Sequence, residues 1–163
     1  MFAIHPAALL ALLVVTCAAI TVIDIRTRTI PDGLNFSVAL LGVTDAALRG
    51  TDETAFALLS GLFGAAVAWL VRHGYRRWRG FDGLGLGDVK FFGAAGIWVG
   101  WPNLPYVILI AAGTALAVLG VQHLAGRSVS GQTSLPFGPF IAIGLLAALM
   151  VTPPFSLAAQ ARF

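Results

Sequence analysis

The sequence is poor in the residues that form disulfide bonds, metal sites and water-soluble surfaces. Among its 163 residues there is one cysteine, Cys17, which excludes an intrachain disulfide and a cysteine-based zinc site. The three histidines, at positions 5, 73 and 123, lack the close spacing that is typical of a metal site, so we predict neither a metal nor another cofactor. Charged residues make up only 10% of the chain, which argues against an ordinary soluble domain.

Two patterns that identify other classes of enzyme are also missing. The chain contains no Gly-x-Ser-x-Gly turn of the kind that presents a serine nucleophile. Its glycine-rich run, 83–87, is not followed by the Gly-Lys-Ser/Thr sequence of a phosphate-binding loop. The first six residues lack the basic charge that precedes the apolar part of a signal peptide, so we expect no cleavage there.

Apolar residues are what the sequence has in abundance. They make up 58% of the chain, and the mean hydropathy is +0.90, as in an integral membrane protein. Strict two-residue alternation is absent, which favours helices over a barrel. We therefore predict an all-α membrane protein, a compact bundle of about six transmembrane helices in a single domain over residues 1–163, without a separate soluble domain. The segments lie at about 6–25, 33–48, 54–72, 88–101, 104–122 and 136–152.

The segments differ in length and contain small residues at intervals. The second, fourth and sixth are too short to span a bilayer comfortably without neighbours, since a helix rises about 1.5 Å per residue. Small residues recur at 61–66 and 93–96, where they are expected to let helices approach closely. Both features predict close packing between the helices.

Basic residues are distributed unevenly between the two ends of the predicted bundle. If the amino terminus lies outside, eight of the ten Lys and Arg residues fall on the cytoplasmic side, in agreement with the positive-inside rule. The eight are Arg26, Arg28, Arg72, Arg76, Arg77, Arg79, Lys90 and Arg127, against Arg49 and Arg162. We interpret the run 72–79 as an anchor at the membrane surface, with Tyr75 and Trp78 at headgroup level and anionic lipid as a weaker alternative ligand. Nucleic acid is discounted as a partner.

Two aspartates are unusual because of their place in the membrane segments. Asp24 lies at the inner end of the first segment and Asp88 opens the fourth, so both fall on the predicted cytoplasmic side. A carboxylate at hydrocarbon depth costs about 2.5–3.5 kcal/mol, so such residues are retained mainly where they line a wet cavity and do chemistry. Two carboxyl groups held together share one proton: one can take a proton from water while the other donates to a carbonyl oxygen. That chemistry is peptide hydrolysis without a metal, and which acid carries the proton stays open.

The glycines before Asp88 have two interpretations. Gly83, Gly85 and Gly87 could adopt positive φ and let an extended substrate backbone approach the acid. The alternative is a flexible loop in which Asp88 does no more than cap the next helix. The glycines alone do not decide between these two.

Three blocks of the sequence, taken in order, are similar to the signature of a known family. They are Ile23-Asp24-Ile25-Arg26-Thr27-Arg28-Thr29-Ile30-Pro31-Asp32, Gly85-Leu86-Gly87-Asp88-Val89-Lys90 and Pro136-Phe137-Gly138-Pro139. Over about residues 20–145 they resemble the type IV prepilin peptidases, the bacterial branch of the GxGD intramembrane aspartyl proteases. The Gly-x-Gly-Asp box alone would be a weak signal, and its combination with the other two blocks is specific.

The resemblance implies that Asp24 and Asp88 are the catalytic pair and that Gly85, Leu86 and Gly87 form the active-site loop. It implies an enzyme that removes the short basic leader from prepilins or pseudopilins at the cytoplasmic face of the inner membrane, surrounded by the lipid bilayer. Longer family members carry a cytosolic region with zinc-binding cysteine pairs that is linked with N-methylation. With one cysteine, this chain resembles the short peptidase-only members of Flp or tight-adherence pilus systems, and we predict no methylation.

For the other residues in the three blocks, a structural role is the preferred interpretation. Asp32 is predicted to cap the second helix after Pro31, with support of the acid pair as the alternative. Lys90 is predicted to be an interfacial anchor, which could also bias the ionisation of the pair. Pro136 and Gly138 are predicted to open the sixth helix, and the resemblance implies that this turn borders the active-site cavity.

Two other classes of function stay open. In a small proton-coupled transporter or channel, intramembrane acids relay protons, but such proteins commonly show internal repeats and broken helices, which we do not find in this sequence. A non-catalytic scaffold of a pilus-assembly machine would not require both aspartates. The sequence gives no indication of the oligomeric state.

Overall fold

Six α-helices and no strand are found in residues 6–126 and 135–151, the part of the chain that the computed structural model describes. Their bounds are α1 Pro6–Thr27, α2 Asp32–Arg49, α3 Thr51–Arg79, α4 Leu86–Val99, α5 Leu104–Leu124 and α6 Gly138–Val151, with a short 3-10 helix, Trp101–Asn103, before α5. This order confirms the predicted all-α bundle. Arg127 and Arg162, which entered the prediction of orientation, lie outside the described residues.

Three of the spans are long and apolar enough to cross a membrane. They are Ala7–Thr27, Thr51–Arg79 and Trp101–Leu124, the last of which includes the 3-10 helix. At about 1.5 Å of rise per residue, each reaches the roughly 30 Å of a hydrocarbon core. Large apolar side chains on these helices are exposed, such as Val15, Leu62 and Leu109, as expected where the surrounding solvent is lipid. The protein is therefore a multi-pass membrane protein.

α4 lies at the centre of the bundle, although it has only 14 residues. A helix that is apolar on all sides is buried by its neighbours, and here α2, α3 and α6 pack against it. Trp98 donates its indole N–H to the carbonyl oxygen of Val38 in α2 at 2.9 Å, which satisfies the polar atom of a side chain that is 6% exposed. Because α4 carries Asp88, this packing also fixes the position of one acid.

Glycines set the short distance between α3 and α4. A Cβ atom on Gly64 would lie 2.7 Å from the carbonyl oxygen of Phe92, and one on Gly96 would lie 2.5 Å from that of Ser60. Side chains do not approach backbone atoms this closely, so a larger residue at either position would push the helices apart. The predicted role of these small residues in helix packing is confirmed.

α3 is longer than predicted. The loss of hydrophobicity at Arg72 indicated an end near that residue, whereas the helix continues to Arg79. Arginine is a good helix former, so helix propensity carries the backbone on after the apolar segment ends. The helix stops at Gly80, whose φ of 81° is the left-handed conformation common at helix C-termini. The additional turns place Tyr75 beside the acid-bearing helices.

Candidate active site

A cavity of about 920 Å³ lies at the end of the bundle where α1 and α3 end and α4 and α6 begin. The charged and polar side chains on its wall are those of Asp24, Arg28, Arg72, Tyr75, Asp82 and Asp88. α5 supplies an apolar side, through Ala112, Ala115, Leu116 and Leu119. The structure thus brings Asp24 and Asp88, which are far apart in the sequence, to the wall of one cavity.

Asp24 is fixed by the first residue of α6. It is 4% exposed, and its Oδ2 atom accepts a hydrogen bond from the Gly138 N–H at 2.8 Å. The first N–H groups of a helix have no partner within the helix and carry partial positive charge, so they suit a carboxylate. Gly138 also leaves the necessary room, because a Cβ atom there would lie 2.9 Å from Asp24 Oδ2. The predicted supporting residue Gly138 therefore contacts Asp24 directly.

Asp88 is held in an equivalent way by the start of its own helix. It is the third residue of α4, and its Oδ2 atom accepts a hydrogen bond from the Gly85 N–H at 3.1 Å. The N-cap residue is Gly85, so the interpretation of Asp88 as an N-cap is wrong, and Asp88 instead accepts a hydrogen bond from the N-cap N–H. Asp88 is less buried than Asp24, and both carboxylates line the same cavity.

The glycines before Asp88 do not adopt the conformation that the sequence analysis expected. Among the described glycines, positive φ is confined to Gly50, Gly80, Gly100 and Gly126. Gly83, Gly85 and Gly87 therefore do not adopt the positive φ that one of the two interpretations allowed. Gly85 lines the cavity, whereas Leu86, the first residue of α4, is 56% exposed and lies outside the cavity wall.

Ile30 explains the requirement for glycine at two predicted site positions. A Cβ atom on Gly87 would lie 3.1 Å from Ile30 Cβ, and one on Gly138 would lie 3.2 Å from Ile30 Cδ1. The Ile30 side chain, which is 8% exposed, therefore packs between the first turns of α4 and α6. The first turn of α4 contains Asp88, and the first turn of α6 binds the Asp24 carboxylate. Ile30 therefore sets the distance between these two turns.

Asn35, which sequence analysis did not identify as a site residue, connects α2 to the first turn of α4. It is 4% exposed, and its Nδ2 atom donates a hydrogen bond to the carbonyl oxygen of Gly87 at 3.1 Å. Its Oδ1 atom is buried and has no hydrogen-bond partner among the described residues. Buried polar groups are nearly always paired, so the one bond that Asn35 makes is important for its place in the core. No local sequence signal announces a contact between residues so far apart.

Removal of this hydrogen bond is expected to weaken the support of Asp88. Asn35→Ala removes the hydrogen bond that Asn35 donates to the carbonyl of Gly87 and should lower the free energy of unfolding by about 0.5–1.5 kcal/mol. Thermal unfolding of the purified protein in detergent measures the loss. Ser37→Ala is the matched control, because the Ser37 hydroxyl bonds only to Gly33 in its own helix. An unchanged unfolding midpoint for Asn35→Ala would contradict this role.

Arg72 holds the loop between α3 and α4 against α3. Its Nη1 atom donates to the carbonyl oxygen of Leu84 at 3.0 Å, and its Nη2 atom donates to Asp82 Oδ2 at 2.6 Å. Arg72 and Tyr75 line the cavity, whereas Trp78 is 76% exposed, and the interpretation of the run 72–79 as a membrane-surface anchor stays a prediction. The fixed loop leads into Gly85, so Arg72 is a positioning residue for the turn that carries Asp88.

Asp32 and Lys90 bind each other outside the cavity wall. Pro31 is the N-cap residue of α2, and the Asp32 carboxylate accepts a hydrogen bond from Lys90 Nζ at 2.6 Å, so the prediction that Asp32 caps α2 is wrong. Both side chains are largely exposed, and such a pair contributes about 0–1 kcal/mol. Pro136, in contrast, lies in the cavity wall just before α6, which begins at Gly138 as predicted.

The cavity wall offers acid–base groups. Within the described ranges, no group of three His, Cys, Asp or Glu side chains is placed to hold a metal ion. The aspartates differ in their partners: Asp82 pairs with Arg72, whereas Asp24 and Asp88 each accept a hydrogen bond from a backbone N–H. The arrangement of the latter two suits general acid–base chemistry on a substrate in the cavity.

Comparison with known proteins gives a family match over most of the chain. The sequence model of the type IV leader peptidase family matches residues 11–121. The matched segment includes Asp24 and Asp88 and ends before the Pro136–Pro139 block. No solved structure matches the chain significantly.

Curated relatives carry leader peptidase names. The prepilin leader peptidase/N-methyltransferase of Burkholderia pseudomallei (strain K96243) is 36% identical over 150 residues, which cover 86% of this chain and 46% of the relative. The protein of the same name from Escherichia coli (strain K12) is 36% identical over 127 residues, 77% of this chain and 55% of the relative. The leader peptidase HopD of Escherichia coli is 34% identical over 119 residues, 73% of this chain and 77% of the relative. The chain thus spans about half the length of the first two relatives.

Proposed function

This chain belongs to the type IV leader peptidase family, and on that basis we propose that it is an intramembrane aspartyl endopeptidase. Its substrate is a type IV prepilin or pseudopilin, from which it removes the short basic leader peptide. The observation that carries the proposal is the placement of Asp24 and Asp88 on the wall of one cavity, each with one carboxylate oxygen held by a backbone N–H. The proposal covers hydrolysis within a single membrane-embedded domain and includes neither methyl transfer nor a cofactor.

In the proposed reaction the two carboxyl groups share one proton. The charged carboxylate takes a proton from water as the water attacks the scissile carbonyl carbon, and the protonated carboxyl gives its proton to the carbonyl oxygen. When the resulting diol collapses, one hydroxyl proton returns to the acid pair and the proton taken from water passes to the leaving amine. The peptide bond is thus exchanged for a carboxylic acid and an amine, and the pair regains its single shared proton.

The two backbone hydrogen bonds support this chemistry by fixing the carboxylates before substrate arrives. Gly138 N–H and Gly85 N–H each hold one oxygen of Asp24 and Asp88, respectively, in place. Groups that are already oriented need no reorganisation during the reaction, and this preorganisation is a main source of electrostatic catalysis. Since both N–H groups lie at the amino-terminal end of a helix, they also favour negative charge at the pair.

We further propose that the cavity faces the cytoplasm of a bacterium whose inner membrane holds the protein, with the amino terminus outside. Positive charge is concentrated on the helix ends and connections around the cavity, and such an excess marks the cytoplasmic side. The described basic residues there are Arg26, Arg28, Arg72, Arg76, Arg77, Arg79 and Lys90. At the other end, Arg49 is paired with Asp45 within α2. A basic leader would then stay in the cytosol while the apolar helix of its prepilin crosses the membrane.

Co-expression with prepilins tests the proposal. In a bacterium without its own prepilin peptidase, the wild-type protein is expected to convert a type IV prepilin, from a panel that includes those encoded near its own gene, to a shorter form. Amino-terminal sequencing should place the cut directly after the basic leader. The same prepilins left intact by wild-type protein that is present in the membrane would contradict the proposal.

A further inference from the structure

A second cavity, of about 470 Å³, lies between α3 and α5 over Phe92 of α4. Its lining is apolar throughout and contains no charged side chain. Val71, Leu84 and Phe137 line this cavity and the acid-bearing cavity alike. The two cavities therefore adjoin at these three side chains, and we refer to them together as the α3/α5 cleft.

The walls of the α3/α5 cleft are formed by single faces of its two helices. On α3, Phe63, Val67 and Val71 line the apolar part, and Val71 and Tyr75 line the acid-bearing part. Residues four apart lie on the same side of a helix, so this is one uninterrupted face. α5 contributes a similar face between residues 104 and 119. Along α3 the cleft is about 18 Å long, from about 1.5 Å of rise per residue.

The chemistry of the α3/α5 cleft changes along its length. One end carries Asp24 and Asp88, and the remainder is lined by hydrocarbon. At the far end, the rings of Phe63 and Trp101 meet edge to face with their centroids 6.2 Å apart. A ligand that matches both parts has a polar, cleavable segment joined directly to an apolar segment.

We propose that the α3/α5 cleft binds the apolar helix that follows the cleavage site of the prepilin, with the scissile bond beside Asp24 and Asp88. The proposal rests on the proposed function and adds where on the enzyme the membrane segment of the substrate lies. Val71 and Ile108, which are 60% and 38% exposed, present aliphatic surface for that helix. A lipid acyl chain would match the apolar part alone, since it brings no peptide bond to the acid pair.

Disulfide cross-linking tests the location of the substrate helix. In a Cys17→Ala background, Asp88→Asn keeps the prepilin uncut, and single cysteines are placed at Ile108 in the cleft or at Leu109. Leu109 is the matched control, because it is the neighbouring residue of α5, is 68% exposed and lines neither cavity. We expect the cysteine at position 108, and not the one at 109, to form a disulfide with cysteines placed along one face of the prepilin helix.

Equal cross-linking at positions 108 and 109, or none at either, would overturn the proposal and indicate that lipid occupies the cleft. Cross-linking at 108 mainly between two copies of the enzyme would overturn it in favour of a dimer interface. These outcomes are distinct from failure of the proposed function, because cleavage of the same prepilin by the wild-type protein is measured in parallel. If the wild-type protein does not cleave the prepilin, the proposed function itself is contradicted.

Cleavage kinetics provide a second, independent test. Ile108→Trp fills the cleft beside the expected position of the substrate helix and should raise KM for the prepilin by about tenfold or more, with a smaller change in kcat, because uniform binding is lost. Leu109→Trp adds the same bulk on the lipid-facing side and should stay within about twofold of wild type. Normal KM for Ile108→Trp would contradict the proposal.

Discussion

Asparagine in place of either Asp24 or Asp88 is expected to reduce prepilin cleavage by roughly 10²–10⁴-fold, the range that general acid–base catalysis contributes. Asparagine has nearly the same shape as aspartate and keeps an oxygen that can accept the hydrogen bond from Gly138 or Gly85. It cannot hold or release the shared proton. The rate of cleavage in detergent or liposomes, measured at saturating prepilin, checks the loss in kcat.

The fold of these variants is expected to survive, which separates a catalytic role from a structural one. Their thermal unfolding midpoints should stay close to that of wild type, since the backbone hydrogen bonds are retained. Asp52→Asn is the matched control, because Asp52 is exposed in the first turn of α3 and lies outside the cavity, and its rate should stay within about twofold of wild type. Normal cleavage by the Asp24→Asn or the Asp88→Asn protein would contradict the assignment of a catalytic role to that aspartate.

Gly138→Ala is expected to lower kcat by up to about 10²-fold, since displacement of a reacting group by about 1 Å can have an effect of that size. The added Cβ atom would lie 2.9 Å from Asp24 Oδ2 and 3.2 Å from its Cγ, so the carboxylate must move. Movement also lengthens its hydrogen bond to the Gly138 N–H. The KM for prepilin should change little, because Gly138 lines neither cavity.

Gly113→Ala is the matched control for this substitution. Gly113 lies in α5, where an added Cβ atom meets nothing within 4 Å, and alanine there should leave cleavage unchanged while stabilising the helix by about 0.5–1 kcal/mol. We therefore expect a lower kcat for Gly138→Ala and an unchanged kcat for Gly113→Ala, although the chemical change is the same in both variants. Equal kcat values for the two variants would show that the close contact at Asp24 is unimportant.

Much of the fold could be predicted from the sequence, because lipid imposes strong constraints on composition. The apolar segments and their connectors predicted six helices to within a few residues at most ends. The largest error was the end of α3, predicted near Arg72 and found at Arg79. Hydropathy indicates where the apolar segment stops, but the residues that follow it are still good helix formers, so the helix continues. The small residues at the α3–α4 contact were also predicted correctly.

The acid pair could be selected from sequence because a carboxylate in an apolar segment is costly and therefore rare. Gly138 was named from sequence as a supporting residue, whereas other supports could not be predicted because they are contacts between distant parts of the chain. Asn35 reaches the carbonyl of Gly87 from another helix, and Arg72 belongs to a basic run that resembled a surface anchor. The glycines were singled out for conformational freedom, whereas at Gly87 the structure shows close packing with Ile30.

The most direct test of the central claim is a double-variant measurement on the purified chain in liposomes with one prepilin. Cleavage rates are compared for wild type, Asp24→Asn, Asp88→Asn and the protein with both changes. If the two acids work as one proton-sharing pair, each single change removes nearly all activity and the second adds no further loss, because residues that act as a unit are not additive. Losses that multiply in the double variant, or a single variant that cleaves at the normal rate, would contradict the account.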